Sequence, residues 1–507
     1  MREILYVQAG NLANYVGTHF WNTQESYFTY SDDTETLLNH DVSFREGETL
    51  EGDSTYCPRL ISFDRKANFG AFNKTNTIYN DHIENTPLWQ GEVDEYKYMP
   101  VEPHAYQTHL ETDDKSTSLA ADSASSIRYW SDFNRVFYIP QTVQMLPNVP
   151  DWQNSEGDWA LGQELFQRYN EETELMESSV RSFIEECNSF QGLQLMNDAS
   201  TFGSFSSSFL MAFNDELSRA PCISFPLMGD AVPQNVDLEN MIHIKKVIND
   251  AVFLRELDSL SLLTIPISNP KIWSQGDWDV NIKTGRDYYH TSSILSAHIE
   301  SATLPLRLKR NQEDISSFSG LLNIHGSHRF SQLAGVFPVA AGATPQDFRQ
   351  QSYNFSMSQN SLMAATTYTR RDVTRGFSAS TLKSYNSSLS QEALKEPFVS
   401  STHAHAYPLP SSFPDIFRDV EILTNYRQTP HAERNSLLPS TSLFTSLSAN
   451  SRIAQMFADY ANFAQACVNR RKTGILPGLV ENSDDIKELV NDLWTLHDGY
   501  SEHSGDD

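Results

Sequence analysis

The sequence predicts an α/β fold with a largely parallel sheet, and three observations lead there. The chain opens with an apolar run, Ile4–Gln8, that passes through a Gly-containing turn, AGNLAN, into an amphipathic stretch carrying Tyr15, Val16, His19 and Phe20. Such a change of period reads as strand, turn and helix. The same alternation returns between Trp159 and Leu227, where helical spacing and short apolar runs take turns, the pattern of parallel strands joined by helices. Finally, 507 residues with 39% hydrophobic and 11% aromatic side chains are too rich in apolar material for a disordered acidic chain. At roughly 100–200 residues per domain that length gives two to four structural units.

Taken in order, YCPRLISFD (Tyr56–Asp64) is a second strand after a loop of turn formers and acids. From about Lys66 to Ser126 the composition shifts to Asp, Glu, Asn, Thr and Ser, including ETDDKSTS, without a sustained period; this predicts a long surface insertion. From Trp159, residues Met176, Val180, Phe183 and Cys187 fall at helical spacing before a QGLQL strand signal and a Gly/Ser-rich turn. Residues Gly203–Ala220 read as a helix, and CISFPL (Cys222–Leu227) as a buried strand. Beyond Pro266 the elements are mixed, with a helix near Thr291–Ser301 and a strand candidate at Met363–Tyr368. Gly376–Pro414, rich in Ser, Thr and Pro, reads as a linker or extended surface segment. Two helices close the chain. The first, about Ala449–Arg471, carries Ile453, Met456, Phe457, Tyr460, Phe463 and Cys467 on one stripe; the second, Asp484–Leu496, has Ser483 as N-cap and Gly499 just past its end. No internal repeat is evident.

The formal charge is −28. Negative surplus repels phosphate backbones, and the Lys/Arg pairs stand isolated, so direct nucleic-acid binding is not expected. The longest weakly polar run, Leu333–Ala343, is about half of the ~20 residues a membrane span needs and contains Pro338. MREILYVQAG, with acidic Glu3, matches neither a signal peptide nor a presequence, which makes the cytosol the expected compartment. Cys57, Cys187, Cys222 and Cys467 lie far apart without C-x-x-C pairing and read as small buried hydrophobes rather than zinc ligands or disulfides. His403 and His405 in THAHAY, and His325 and His328 in IHGSH, have no adjoining Cys or acid cluster and read as surface histidines, so no metal site is expected. Neither a G-x-S-x-G, a Walker loop nor an H-E-x-x-H occurs.

The opening MREILYVQAGNLANYVGTHFW resembles the tubulin superfamily, with Gln8, Gly10, Asn14, Gly17, Phe20 and Trp21 at matching places. Four further stretches match in the same order: YCPRLISFD; FQGLQLMNDASTFGSFSSSFL, which leads into the phosphate loop; SSILSAHIESATLPLRL, the central helix; and SANSRIAQMFADYANFAQACVNRR with DDIKELVNDLWTL, the C-terminal helices. A tubulin-like chain of this length, with an insertion after the second strand and degraded nucleotide loops, is similar to the Misato family, which includes fungal proteins of mitochondrial DNA inheritance. The resemblance implies an N-terminal Rossmann-like, nucleotide-binding-type domain over 1–265 with the acidic insertion at about 66–126. A central helix with an α+β intermediate domain would occupy 266–400, and a C-terminal helical region 401–507.

It also locates a degenerate nucleotide pocket at Gly10, Asn14, Asp64, Gly203, Ser204 and Tyr288. A tubulin-type phosphate loop, G-G-G-T-G-S-G, works because glycines let consecutive N–H groups approach the phosphates at the positive end of a helix. Ungapped, this chain offers Ser200–Ser206 with one glycine, Gly203, where the motif has threonine, and with Phe202 and Phe205 in the cradle. The alternative is an ordinary polar helix start with a Ser N-cap. In the first loop Asn14 remains, while Leu12, Ala13 and Tyr15 replace the pattern. Asp64 keeps the place of an acid near metal and phosphate, but the acid two residues on is Lys66, which could itself pair with a phosphate. Tyr288 matches a stacking tyrosine or is a core or surface residue, and Ser292 replaces the base-reading Asn. In LKRNQEDISSFSG, Ile315 and Phe318 stand where two water-orienting acids belong, with Glu313 and Asp314 beside them.

The resemblance therefore implies a non-catalytic, tubulin-like protein without a bound cofactor. Its role would be partitioning of mitochondria and mitochondrial DNA, with effects on mitochondrial distribution and morphology. It would act through protein partners such as mitochondrial surface or cytoskeletal factors, with the cytosolic chaperonin as a further partner, from the cytoplasm and the cytosolic face of the mitochondrion. Two alternatives stay open: a GTP-binding, filament-forming GTPase, and an adaptor acting through the acidic insertion.

Overall fold

The computed structural model describes residues 2–28, 36–48, 54–71, 101–112, 126–147, 157–218, 220–283, 285, 287–323, 326, 328–340, 342–356, 366–392, 398–418, 424–425, 439–470 and 483–501. Most of the acidic insertion, His325 and the start of the Met363–Tyr368 strand candidate lie outside them. The strands of the first sheet are β1 (Glu3–Ala9), β4 (Leu60–Arg65), β5 (Val143–Leu146), β6 (Phe190–Asp198), β7 (Cys222–Leu227) and β8 (Leu263–Thr264), with β2 (Phe44–Glu48) and β3 (Ser54–Pro58) forming a separate hairpin pair. The helices are α1 (Asn11–Glu25), α2 (Ala105–Thr112), α3 (Trp159–Thr173), α4 (Arg181–Glu185), α5 (Ala199–Glu216), α6 (Met241–Leu260), α7 (Tyr288–Ala302), α8 (Ile315–Leu322), α9 (Pro345–Gln350), α10 (Ala379–Glu392), α11 (Arg452–Asn469) and α12 (Ser483–Tyr500).

The first sheet is parallel throughout, in the order β5-β4-β1-β6-β7-β8. Strands covered on both faces read as near-continuous apolar runs, and here period two sends alternate residues to different cores. Leu5, Val7, Ala9, Leu193 and Leu195 join α3, α5, α6, α11 and α12 on one face. Ile4, Tyr6 and Met196 join α1 and α7 on the other. Because α1 lies between the sheet and α7, residues from Leu12 to Gln24 are buried all round rather than along one stripe. Gly17 faces the sheet so closely that a Cβ would fall 2.1 Å from the Gln8 amide.

From β1 the chain moves to β4 and β5 on one side and then crosses to β6, β7 and β8 on the other, so the order reverses between β1 and β6. In open α/β sheets the crevice beyond the carboxyl ends of strands at such a reversal is where ligands bind.

The second sheet has the order β10-β9-β16-β11-β12, built from β9 (Gln332–Val336), β10 (Tyr353–Asn354), β11 (Thr367–Arg375), β12 (Val399–Ala404) and β16 (Leu443–Asn450); its pairs are antiparallel except β11 with β12. Short strands β13 (Tyr407–Pro408), β14 (Thr424–Asn425) and β15 (Pro439–Thr441) form a third sheet. α7 runs between the first sheet's α1 layer and β9 of the second, where a Cβ on Gly335 would fall 2.5 Å from His298 and from the Phe444 carbonyl. Burial pushes the His298 imidazole down to about 3, so it packs as a neutral ring.

The structure corrects several element assignments. The Ser/Thr/Pro-rich 376–414 stretch is not a linker: it holds α10 and edge strand β12. Distant partners explain why polar composition did not prevent order: Tyr385 packs with Phe348 and Phe444 and donates to Asp372 Oδ2 at 2.6 Å, Phe377, Leu382 and Leu389 pack against the same cluster, and β12 pairs with β11. Tyr56–Asp64 divides at Arg59 into β3 and β4, which pair with different partners. The C-terminal helix continues through Gly499 to Tyr500, because the Tyr500 hydroxyl is held by the Phe330 backbone.

Candidate nucleotide crevice

At the β1–β6 reversal, Gly10 ends β1 with φ 109° and ψ 165°, a region open in practice only to glycine. This conformation turns the chain into α1, whose first intrahelical bond runs from the Asn14 amide to the Gly10 carbonyl at 3.0 Å. The next two amides do not face an open crevice. Leu12 N–H donates to Asp198 Oδ2 at 3.0 Å and Ala13 N–H to Asp198 Oδ1 at 2.9 Å. A Cβ on Gly10 would sit 2.6 Å from that carboxyl, so the glycine serves both the turn and the approach of Asp198.

Asn14 bridges inward. Its Nδ2 donates to the Phe63 carbonyl and to Asp64 Oδ2, both at 3.1 Å, and its Oδ1 accepts from Ser62 Oγ at 2.8 Å. Asp64 is fully buried, and its Oδ1 accepts from Arg65 N–H at 2.8 Å and Asn68 Nδ2 at 2.7 Å. Burial raises its carboxyl above the ordinary value, opposed by the bonds from Asn68, Asn14 and Arg65. Asp64 is thus a node tying β4 to α1. Lys66, two residues on, opens a one-turn helix, Lys66–Asn68, at the surface.

Tyr15 fills the neighbouring space. It is buried, its ring stands 5.9 Å from Tyr288 and 5.7 Å from Phe133, and burial followed by the charges of Asp132, Asp287 and Asp64 keeps its hydroxyl protonated well above the usual range. Tyr288 begins α7 with Lys271 over its ring at 5.7 Å, and Lys271 also reaches Asp230 at 3.3 Å. Tyr288 therefore meets Tyr15 edge-on and carries a cation on its ring. Ser292 is buried one turn later.

Gly203 and Ser204 do not join this group. The Ser200–Ser206 stretch is wound into α5, which starts at Ala199. Gly203 packs on Phe253, which a Cβ would approach to 3.2 Å, and Ser204 packs against Gly162 of α3. Phe202 and Phe205 enter the apolar core; a helix replaces the loop because these rings bury there. The N-cap position belongs to Asp198 rather than a serine, and its side chain makes no cap bond to its own helix. The structure therefore brings together Gly10, Asn14 and Asp64, links Tyr288 to them through Tyr15, and sends Gly203 and Ser204 to the opposite face of the sheet.

The segment after α7 is also absorbed into packing. Ile315 and Phe318 are fully buried, Glu313 accepts from Arg371 Nη2 at 2.6 and 2.7 Å, and Asp314 caps α8 through Ser317 N–H at 2.7 Å. Among the described residues, no group of three or more His, Cys, Asp or Glu is arranged to hold a metal, and no helix is long and apolar enough to cross a membrane. Cys57, Cys222 and Cys467 are buried thiols outside any disulfide, while Cys187 is half-buried and donates to the Phe183 carbonyl at 3.1 Å.

Gly10→Ala is expected to lower stability by about 1–3 kcal/mol, the cost of a side chain held in this backbone region. Combined with Asp198→Gly, which itself strips the Leu12 and Ala13 amides of their acceptor, the loss should be smaller than the sum of the two single losses, because the clash disappears while the φ strain stays. Urea unfolding of the single and double variants measures both numbers; strict additivity would show that Asp198 and Gly10 are not in contact.

A parallel sheet with its reversal between β1 and β6, a glycine turn into a buried α1, and a central helix leading to a second sheet define a tubulin-like chain. Residues 2–112 match the Misato Segment II tubulin-like domain and residues 119–308 match the Tubulin domain. Protein DML1 of Gibberella zeae is 32% identical over 363 residues, 69% of this chain and 70% of that protein. Protein dml1 of Aspergillus clavatus is 29% identical over 523 residues, covering 99% and 97% of the two chains. Protein misato of Drosophila melanogaster is 28% identical over 390 residues, covering 69% and 68%. The chain belongs to the Misato/DML1 family of tubulin-like proteins.

Proposed function

We propose that this protein is a non-catalytic, tubulin-like scaffold that works through protein partners in the partitioning of mitochondria and mitochondrial DNA, and in mitochondrial distribution and morphology. The supporting observation is the crevice itself: an Asp198 carboxylate on the Leu12 and Ala13 amides, with Tyr15 buried beside it. An anion in that place disfavours a nucleotide's phosphates by charge, and the buried Tyr15 beside it by volume. The net charge of −28 argues for action on the organelle from its cytosolic face rather than by contact with its genome. Family membership supports the mitochondrial part of the reading, as the role the resemblance implies.

Equilibrium binding of labelled GTP to the purified full chain tests the scaffold reading. No saturable binding is expected up to about 1 mM nucleotide, an affinity weaker than ~4 kcal/mol, with or without magnesium. Micromolar, magnesium-dependent binding with slow hydrolysis would instead establish the GTPase alternative. Unchanged mitochondrial distribution in cells lacking the protein would remove the organellar role.

A further inference from the structure

Asp198 stands at the end of β6 and immediately before α5, where an aspartate ordinarily caps the helix it precedes. Here its side chain makes no cap bond to α5. It crosses instead to a helix 185 residues earlier, giving one carboxylate oxygen to each of two consecutive α1 amides at 3.0 and 2.9 Å. Two adjacent N–H groups at the positive end of a 15-residue helix, beyond the carboxyl ends of β1 and β6, suit a tetrahedral phosphate oxyanion as well as a carboxylate. Gly10, with φ 109°, leaves the space through which the anion approaches, and any Cβ there would strike the carboxyl. The amides, the glycine and the sheet reversal thus form an anion seat, and a residue of the same chain sits in it.

We propose that Asp198 is a built-in anion that fills a phosphate seat, so that this one carboxylate keeps diphosphate-bearing ligands out of the crevice and its removal reopens the seat. The inference rests on the reading that the wild-type crevice takes no nucleotide, and goes further in naming the residue that decides it. Two effects act together. The carboxylate occupies the donors, and its charge opposes a second anion a few ångströms away in a partly desolvated site. Serine at the same position would shorten the side chain and remove the charge while keeping a small hydroxyl beside the amides. Asparagine would remove the charge with the volume unchanged.

The test is calorimetric titration of the full-length wild type, Asp198→Ser and Asp198→Asn with inorganic pyrophosphate at low ionic strength, after circular dichroism has confirmed folding. Asp198→Ser is expected to bind pyrophosphate at least about tenfold more tightly than wild type, and Asp198→Asn to show a smaller gain. Adding salt should erode both gains, as for any exposed charge interaction. Should Asp198→Ser not fold, a gain in the isosteric Asp198→Asn supports the inference equally. Folded variants no tighter than wild type, with wild type silent, would overturn this inference and leave the scaffold reading standing. Micromolar pyrophosphate or GTP binding by wild type would overturn both.

Discussion

Glu300→Ala is expected to lower the unfolding free energy by about 3–5 kcal/mol, the range for breaking a buried ion pair and leaving its partner charge uncompensated. Glu300 lies in α7 and is fully buried. Its Oε2 accepts from Arg375 Nη1 at 2.8 Å, and its Oε1 from Gln24 Nε2 at 2.9 Å, Tyr27 hydroxyl at 3.3 Å and Arg307 Nη2 at 3.4 Å. Both arginines are buried too, at 0% and 1% exposure for Arg375 and Arg307, so solvent cannot compensate for a lost carboxylate. The groups come from α1 and the turn after it, from α7 and the segment that follows it, and from β11, so this carboxylate helps tie the first sheet's helical layer to the second sheet.

Aromatic rings share the load. Arg307 sits 5.0 Å from the Phe20 ring, and Arg375 5.4 Å from Tyr407. Glu300→Gln retains acceptors for some donors and should cost less than Glu300→Ala. In the pair Glu300→Leu and Arg375→Met the combined loss should be well below the sum of the single losses, because each single change strands the other's buried charge. Urea midpoints of the four proteins decide it. A loss under about 1 kcal/mol for Glu300→Ala would mean the network contributes little.

Asp250→Asn is expected to act in the opposite direction, stabilising the protein at pH 8 by roughly 2–5 kcal/mol and by little near pH 4. Asp250 is fully buried in α6, and burial pushes its carboxyl up to about 8. The Gly229 amide, which donates to Oδ2 at 2.8 Å, the Lys246 charge and the Tyr460 hydroxyl pull the other way, while Asp230 adds repulsion. The folded protein therefore holds a proton between about pH 4 and 8 that the unfolded chain, with an ordinary aspartate near 3.9, releases. Where the folded state binds the extra proton, stability falls as pH rises. This group's contribution is complete below about pH 4 and is lost as pH climbs to about 8. Asparagine keeps the oxygen for Gly229 and has no proton to lose. Thermal unfolding of both proteins from pH 5 to 8.5 should show the curves diverging with pH; parallel curves would show that Asp250 does not titrate in this range.

Much of the frame is legible in the linear chain. Cys222–Leu227 is a strand to the residue, and Ile4–Gln8 lies within β1, since both are short apolar runs bounded by turn formers. Helix positions follow from periodicity, although the ends move: α5 starts at Ala199 rather than Gly203. Where the pattern is polar, order depends on contacts with distant parts of the chain. α10 shows this, held through Tyr385 to Asp372 and Phe444. Local composition carries no trace of such a partner. In the crevice, Gly10, Asn14 and Asp64 are legible through the resemblance, because they stand at matching places in the tubulin-like motifs. Asp198, in the QGLQLMNDASTF stretch, gives no such signal, since an acid before a helix is ordinarily that helix's own cap.

By itself the sequence determined the α/β class, because period and turn chemistry are written locally, and its motifs, by resemblance, carried the tubulin-like frame and the loss of the phosphate-loop glycines. Only the tertiary structure decided what stands in their place. Pairing β1 beside β6 brings the start of α1 to the end of β6 and turns Asp198 onto the Leu12 and Ala13 amides. Burial of Phe202 and Phe205 winds the phosphate-loop segment into α5. Both outcomes depend on which residues meet across distant positions of the chain, and that proximity is set by packing.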